Sequence, residues 1–444
     1  MNKLSTKQIL AVGLMLFALF FGAGNMIFPP FLGQNAGSHV WTAIIGFLIT
    51  GVGLPLLGII AIAKTGDVQT MASRVHPVYG VIFTVVMYLV IGPLFAIPRT
   101  GTVSFEIGIM PFLSENASNS HLSLAIFSVI FFAITAMLAL NPSKLVDTIG
   151  KILTPALLII LAILVVKSFI TPLGTPQAPV DAYVSGPFFK GFVEGYLTMD
   201  TIAALVFGII VISSIKGLGV ANKKNITKIC IQAGLIAAAG LGLVYFALAY
   251  IGATSPNSVG IQENGGAILS GAAYHLFGSF GNVILGLAII FACLTTSIGL
   301  VSSCAEYFSK LLPRYSYKTI VIAFSIFSMI IANAGLTQLI QFSVPVLTFI
   351  YPLAIVMILL SFVHNWFKGY SLVYICAIIP TGFISLIDAL NTAGLNVSGI
   401  MDALSFLPLS SQGIGWIVPA IAGAIVGYFI ALSAGASEKT IQTN

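Results

Sequence analysis

Apolar runs long enough to cross a bilayer follow one another along the chain, parted by short segments that hold most of the glycine, proline and charge. Hydropathy and turn signals predict twelve spans, at residues 7–32, 40–63, 77–98, 122–140, 151–170, 191–215, 229–252, 282–309, 319–334, 338–363, 370–390 and 413–433. The third has room to continue past Pro98 toward Met110, since residues 100–109 are still fairly apolar. The ninth and tenth are separated only by Asn333-Ala334-Gly335. Between the seventh and eighth, a mildly apolar stretch at 267–277 predicts a short helix across the outer face.

Composition agrees with this pattern. The 444 residues are 58% hydrophobic and 7% charged, against about 25% charged in a soluble domain. The expected fold class is therefore all-α and polytopic, one transport-sized membrane domain over 1–444. A net charge of +6 would suit nucleic acid, but the basic residues sit in short loops between spans. Cys230, Cys293, Cys304 and Cys376 lie in or beside apolar runs, so neither a disulfide framework nor a metal motif is expected. Lys3 and Lys7 before an apolar run resemble a signal peptide. The run is too long and lacks a small-residue cleavage site, so it is expected to be retained.

Orientation follows from the basic residues. With both termini in the cytoplasm, the inner segments hold Lys3, Lys7, Lys64, Arg74, Lys144, Lys151, Lys216, Lys223, Lys224, Lys228, Lys310, Arg314, Lys318, Lys368 and Lys439, leaving Arg99, Lys167 and Lys190 on or near the other side. Spans 1–5 (7–170) and 6–10 (191–363) occupy similar lengths. Five is odd, so the second set enters from the opposite side, which predicts an inverted repeat followed by two peripheral spans (370–433).

Two spans are interrupted at corresponding places. In the first, Gly22-Ala23-Gly24-Asn25 is followed by Pro29-Pro30. Glycine costs a helix interior about 1 kcal/mol against alanine and proline about 3. At ~1.5 Å per residue the glycines lie ~18 Å deep in a ~30 Å core. A break there frees main-chain groups that protein, water or a ligand must satisfy. Small-residue helix packing is the competing explanation for the glycines alone. The sixth span reads Gly195-Tyr196-Leu197-Thr198-Met199-Asp200-Thr201, with Asp200 equally deep. An aspartate in mid-bilayer costs roughly 2.5–3.5 kcal/mol and usually serves function, the alternative being a structural carboxylate held by hydroxyls. Paired breaks in inverted halves mark a transporter's binding site.

The chain resembles the branched-chain amino acid:cation symporter family (LIVCS or BrnQ-type carriers) over nearly its whole length. The resemblance is carried by Phe20-Phe21-Gly22-Ala23-Gly24-Asn25-Met26-Ile27-Phe28-Pro29-Pro30, by Gly92-Pro93-Leu94-Phe95-Ala96-Ile97-Pro98-Arg99-Thr100 and by the sixth-span motif above. It implies the leucine-transporter (LeuT-type) fold, with a five-plus-five inverted repeat and broken spans 1 and 6. It also implies a bacterial cytoplasmic-membrane location, a branched-chain amino acid (Leu, Ile, Val) as small-molecule substrate, and sodium as coupling ion with no other cofactor. No obligate protein partner is evident.

The resemblance assigns roles position by position. Ala292-Cys293-Leu294-Thr295-Thr296-Ser297 resembles a segment that gives sodium one carbonyl, at Ala292, and two hydroxyls, at Thr295 and Thr296. The carbonyls of Ala18 and Phe21 would complete the cage. Hydroxyls bonded back to their own helix are the alternative. For the substrate, the N–H groups of Ala23, Gly24 and Asn25, after Gly22, would meet the carboxylate at a positive helix end. Carbonyls of Phe20, Leu197 and Thr198 would face the ammonium, and Asp200 would ion-pair with it. A second sodium site is in doubt, because span 7 has Cys230 and Gln232 where the leucine transporter places an asparagine, although Asn25 and Thr198 remain available.

Arg99, near the outer end of span 3, is expected either to gate the site by pairing with Glu106 or Glu194 or to snorkel to headgroups. His39, His121, His275, His76 and His364 make no metal spacing. Asn116-Ala117-Ser118 matches a glycosylation acceptor that a bacterial carrier would not use. No H-E-x-x-H, G-x-S-x-G or P-loop supports an enzyme. A channel would want repeated pore rings rather than two unlike broken helices. A proton-coupled carrier, with Asp200 titrating, is the alternative within transport.

Overall fold

In the first predicted span, Ser5 caps the helix α1 (Thr6–Phe20), its side chain accepting from the Gln8 N–H while Gln8 reaches back to the Ser5 N–H. This reciprocal cap settles two of the donors that a helix start leaves free. In this computed structural model, residues 4–114, 121–140 and 154–434 are described, and all regular structure among them is helical. Lys3, Lys144, Lys151, Lys439 and the Asn116-Ala117-Ser118 triplet fall outside the described residues, as do both chain ends.

After a two-residue gap comes α2 (Ala23–Ala36), then α3 (Val40–Leu48), a π-helical turn (Ile49–Gly53) and α4 (Leu54–Thr65). The third predicted span is α5 (Pro77–Leu89) and α6 (Ala96–Gly108), joined by a π-helical turn at Val90–Leu94. Next come α7 (His121–Ala139), α8 (Thr154–Ile170) and α9 (Pro187–Glu194), with a 3₁₀ turn (Gly195–Thr198) leading into α10 (Asp200–Gly217). The long α11 (Lys223–Thr254) is followed by α12 (Gly265–Phe277), the short helix expected between spans 7 and 8. The chain ends with α13 (Ser279–Leu311), α14 (Tyr317–Ala332), α15 (Leu336–Val363), α16 (Ser371–Thr392) and α17 (Ile417–Ser433).

By length and composition, eight helical stretches among the described residues could cross a membrane, and four shorter apolar helices accompany them. Hydropathy predicts twelve spans. The difference is one of length: the four shorter helices, Thr6–Phe20, Leu158–Ile170, Tyr317–Ala332 and Ile417–Ser433, fall in predicted spans 1, 5, 9 and 12. The first is short because its span is cut in two, with α2 running on through the 3₁₀ turn Gly37–His39 into α3 and α4. Pro29 and Pro30 do not end α2. They sit inside it, and the lost donors leave the carbonyls four residues earlier without ladder partners.

The core is built around the interrupted helices. α11 packs along α1 and α2, α10 packs on α4, α9 on α3, and α6 on α13. Gly265, at the start of α12, lies so close to the Ile27 carbonyl that a Cβ there would collide with it. The helix faces away from this core carry exposed Leu, Ile, Val and Phe side chains, such as Leu122, Ile126, Ile163, Ile330 and Phe429. An apolar exterior of this kind suits hydrocarbon as its solvent.

Candidate functional site

Three breaks converge at the centre of the molecule. In the first, Phe21 (φ −71°, ψ 89°) and Gly22 (φ −127°, ψ −159°) are extended, so the helix stops before the Gly22-Ala23-Gly24-Asn25 run rather than within it. The last ladder bond of α1 runs from Phe21 N–H to the Phe17 carbonyl, 2.8 Å. The Gly22 N–H, which would have bonded to Ala18, donates instead to Asn25 Oδ1 at 2.9 Å. Among the described residues, the carbonyls of Ala18 and Phe20 are thus left beyond the helical ladder. The N–H groups of Ala23, Gly24 and Asn25 are the free first-turn donors of α2.

The second break is Met199, whose left-handed conformation (φ 64°, ψ 10°) separates the 3₁₀ turn from α10. A non-glycine residue held there stores about 1–3 kcal/mol of strain, and such strain collects at functional sites. The surroundings hold it in place: Thr50, in the π-helical turn of span 2, donates to the Phe192 carbonyl at 2.7 Å, and Thr201 donates to the Thr50 carbonyl at 3.0 Å. The Tyr196 ring stacks on Tyr351 with centroids 4.5 Å apart. The two breaks meet face to face, since a Cβ on Gly24 would stand 3.2 Å from both Cα and the carbonyl oxygen of Thr198.

Asp200 opens α10 and is 1% exposed. Its Oδ2 accepts Tyr245 O–H at 2.5 Å and Asn25 Nδ2 at 2.7 Å, and Asn25 also bonds Tyr245. Its own N–H donates to Thr198 Oγ1 at 3.3 Å. All these partners are neutral. Tyr245 comes from the middle of α11 and was not singled out in the sequence, where it stands as one tyrosine in an apolar run.

The third break is in span 3, where Gly92 is non-helical (φ −91°, ψ −122°) and Pro93 follows. It turns α6 inward, and Arg99 is 2% exposed rather than at an outer rim. Its Nη1 donates to the Leu197 carbonyl at 2.7 Å and its Nη2 to Ser343 Oγ at 2.8 Å. The pairing expected with Glu106 or Glu194 does not occur, and nor does snorkelling. Glu106 accepts from Asn264 at 2.6 Å and Glu194 pairs with Lys190 at 2.6 Å. The Gly92-Pro93 dipeptide in mid-span is the signal that marks this inward turn. One consequence changes the substrate reading: the Leu197 carbonyl is occupied by Arg99, while those of Phe20 and Thr198 accept no hydrogen bond outside the helical ladders among the described residues.

The residues assigned to a cation divide into two groups. Thr296 Oγ1 crosses from α13 to the Phe21 carbonyl at 3.4 Å, whereas Thr295 Oγ1 donates back to Ala292 in its own helix at 2.7 Å. Thr295 therefore makes the local bond expected of a packing hydroxyl, and Thr296 does not. A small cavity of ≈30 Å³, room for about one or two waters, lies among Phe20, Gly22, Gly24, Asn25, Arg99, Thr198, Asp200 and Thr296. A larger one of ≈640 Å³ opens beyond it, lined by Asp67, Thr84, Tyr88, Ile210, Glu306 and Lys310 among others.

With that geometry in view, residues 5–434 match the family described as branched-chain amino acid transport protein. The chain is 56% identical to the branched-chain amino acid permease BraB of Bacillus subtilis (strain 168), covering 99% of this chain and 98% of the relative. It is 44% identical to the permease BrnQ of Escherichia coli (strain K12), covering 98% of each. The chain belongs to the branched-chain amino acid transport protein family. Like the rest of that family it is a multi-pass membrane transport protein and not an enzyme. Its fold is shared with Mhp1, a nucleobase-cation-symport-1 family transporter solved in a closed conformation with bromovinylhydantoin bound (TM-score 0.62, 15% identity, 96% of this chain and 93% of that one). It is shared too with MhsT in complex with L-phenylalanine (TM-score 0.56, 16% identity, 95% and 98%). This is the LeuT-type fold that the family resemblance implied.

Proposed function

We propose that the protein imports leucine, isoleucine and valine by symport with sodium, alternating access around the meeting point of the broken helices. The observation that carries this reading is the pairing of Gly24 with Thr198 beside a buried Asp200. An ammonium can meet Asp200 and the free carbonyls of Phe20 and Thr198, while the carboxylate meets the first-turn N–H groups of α2. The aliphatic tail would face Ile91, Ala203, Phe207 and Leu300, and the cavity they line must widen to admit it, since in this conformation it holds only about one or two waters.

Packing supports a five-plus-five inverted repeat within twelve spans. Broken span 1 packs on span 7 through α11, and broken span 6 on span 2 through α9, α10, α3 and α4. Span 5 meets span 8 (α8 on α13), and span 10 meets span 3 (α15 on α6), so contacts exchange between halves. With both termini cytoplasmic, the ≈640 Å³ cavity beside Lys310 opens inward, and its lining residues Val206 and Ser303 are near neighbours in the chain of Phe207 and Leu300 in the central one.

For sodium, the supporting geometry is the 3.4 Å separation of Thr296 Oγ1 and the Phe21 carbonyl. Hard cations of calcium's size, close to sodium's, hold oxygens at ~2.3–2.6 Å, which sets two ligands at a right angle ~3.3–3.7 Å apart. The Ala18 carbonyl is freed on the same helix end, and Ala292 and Thr295 join by opening their mutual bond. One sodium moving inward is worth about 2.3 kcal/mol per 100 mV. A tenfold sodium gradient adds about 1.4 kcal/mol. Together these sustain a gradient of several hundredfold with a single ion.

Leucine uptake into proteoliposomes at fixed pH, with sodium replaced by choline, tests the coupling. Uptake should stop without sodium; persistence driven by a pH gradient would transfer the role to a proton at Asp200. A second expectation concerns Gly22. A Cβ there would stand 2.9 Å from Thr296 Cγ2 and 3.0 Å from its Oγ1. Gly22→Ala should therefore push the hydroxyl off the Phe21 carbonyl and raise the sodium concentration for half-maximal uptake several-fold. An unchanged sodium dependence would separate Thr296 from the ion.

A further inference from the structure

We propose that the Arg99 guanidinium binds the carboxylate of the transported amino acid, and so makes the free α-carboxylate a requirement for transport. The inference rests on the function proposed above and adds a residue to it. Arg99 is fully inside the protein, and burying a cation is costly unless an anion answers it. None does. Its protein partners are the Leu197 carbonyl, the Ser343 hydroxyl and the face of Phe28, with the guanidinium 5.1 Å from the ring centroid. Its Nε, also buried, has no hydrogen-bond partner among the described residues. A guanidinium has five N–H donors in a fixed fork suited to a carboxylate, and here, with two of them bonded to Leu197 and Ser343, three donors and the whole charge remain unanswered among the described residues.

Asp200 presents the complementary problem, a carboxylate whose Oδ2 is answered by the neutral Tyr245 and Asn25. Both residues line the same small cavity. They make no ion pair: the pairs among the described residues are Lys190–Glu194 and Lys310–Glu306, both elsewhere. Two opposite charges that face one cavity without touching call for a ligand carrying both signs, which an amino acid zwitterion does. Arg99 is also on the correct side of the first break. Its Nη1 would lie 3.5 Å from a Cβ on Gly24, beside the first-turn N–H groups of α2. Charge and helix end therefore converge on the same carboxylate.

A structural alternative is that Arg99 only pins the unwound segment of span 6 through the Leu197 carbonyl. Competition against labelled leucine uptake in proteoliposomes separates the two, using unlabelled leucine and leucinamide, which keeps the ammonium and side chain and loses the carboxylate. Wild-type protein should prefer leucine by 100-fold or more. In Arg99→Gln, leucine should weaken by about that factor while leucinamide changes little, so the preference falls below 10-fold. Arg99→Lys, which keeps the charge without the fork, should recover part of it. Wild-type protein accepting both compounds within 10-fold would overturn the inference with no variant needed. So would Arg99→Gln or Arg99→Lys weakening both compounds equally, the signature of a pinned loop. Failure of wild-type protein to take up any branched-chain amino acid would overturn the function proposed above, a result distinguishable from loss of carboxylate selectivity alone.

Discussion

Asp200→Asn is expected to reduce leucine uptake by two orders of magnitude or more while the protein still inserts and folds. The side chain keeps its shape, and an amide oxygen can still accept Tyr245 O–H, now 2.5 Å from Asp200 Oδ2. What disappears is the negative charge at the first residue of α10, in a position 1% exposed, where no solvent can replace it. Removing one partner from a buried ion pair costs about 3–5 kcal/mol, because the other charge is left unanswered. For a bound ammonium that amounts to roughly a hundredfold to several thousandfold in affinity. Immunodetection of the membrane fraction and thermal melting in detergent should show near-normal protein, since a mid-membrane carboxylate is expensive to insert and its loss relieves that cost. Normal uptake by this variant would reduce Asp200 to a structural cap for the Asn25–Tyr245 cluster.

Thr296→Ala is expected to raise the sodium concentration for half-maximal uptake by about tenfold or more, and Thr295→Ala to do so by less. The two hydroxyls are neighbours in sequence but differ in position. Thr296 reaches the Phe21 carbonyl across the first break, and Thr295 is tied to Ala292. Losing one hydroxyl oxygen from a cage of neutral ligands costs on the order of 1–3 kcal/mol, and 1.4 kcal/mol is a factor of ten. Thr295 must also break a hydrogen bond to turn toward the ion, which offsets part of what its oxygen contributes. Sodium titration of leucine uptake for the two single variants measures the difference. Equal, wild-type behaviour in both would remove this end of span 1 from the ion's path.

Much of this arrangement was legible before any coordinates. Glycine at 22 and 24 followed by Asn25 signals a broken helix, because glycine is a poor helix interior and an amide has no partner in hydrocarbon. Asp200 signals itself through its insertion cost. Arg99 was read at the wrong depth. Its place near the outer end of span 3 holds for a continuous helix, and the Gly92 break turns the following helix into the core. Ser343 carries no signal because a serine in a span commonly bonds to its own helix, and Tyr245 carries none because one tyrosine in an apolar run reads as packing. The choice of Thr296 over Thr295 was equally hidden, as both stand on the same stretch of α13 and differ by one helical step.

What the sequence determined by itself is the solvent and the class of solution. Long apolar runs, basic residues confined to short loops, and two costly interruptions specify an all-helical transport protein with main-chain groups exposed at depth, because each is a local free-energy statement about one segment. Which groups face one another is not local. Gly24 against Thr198, Thr296 against Phe21, and Arg99 and Asp200 around one cavity without touching all depend on the relative rotation and depth of helices far apart in the chain. Those are set by close packing of whole faces, so only the tertiary structure decides them.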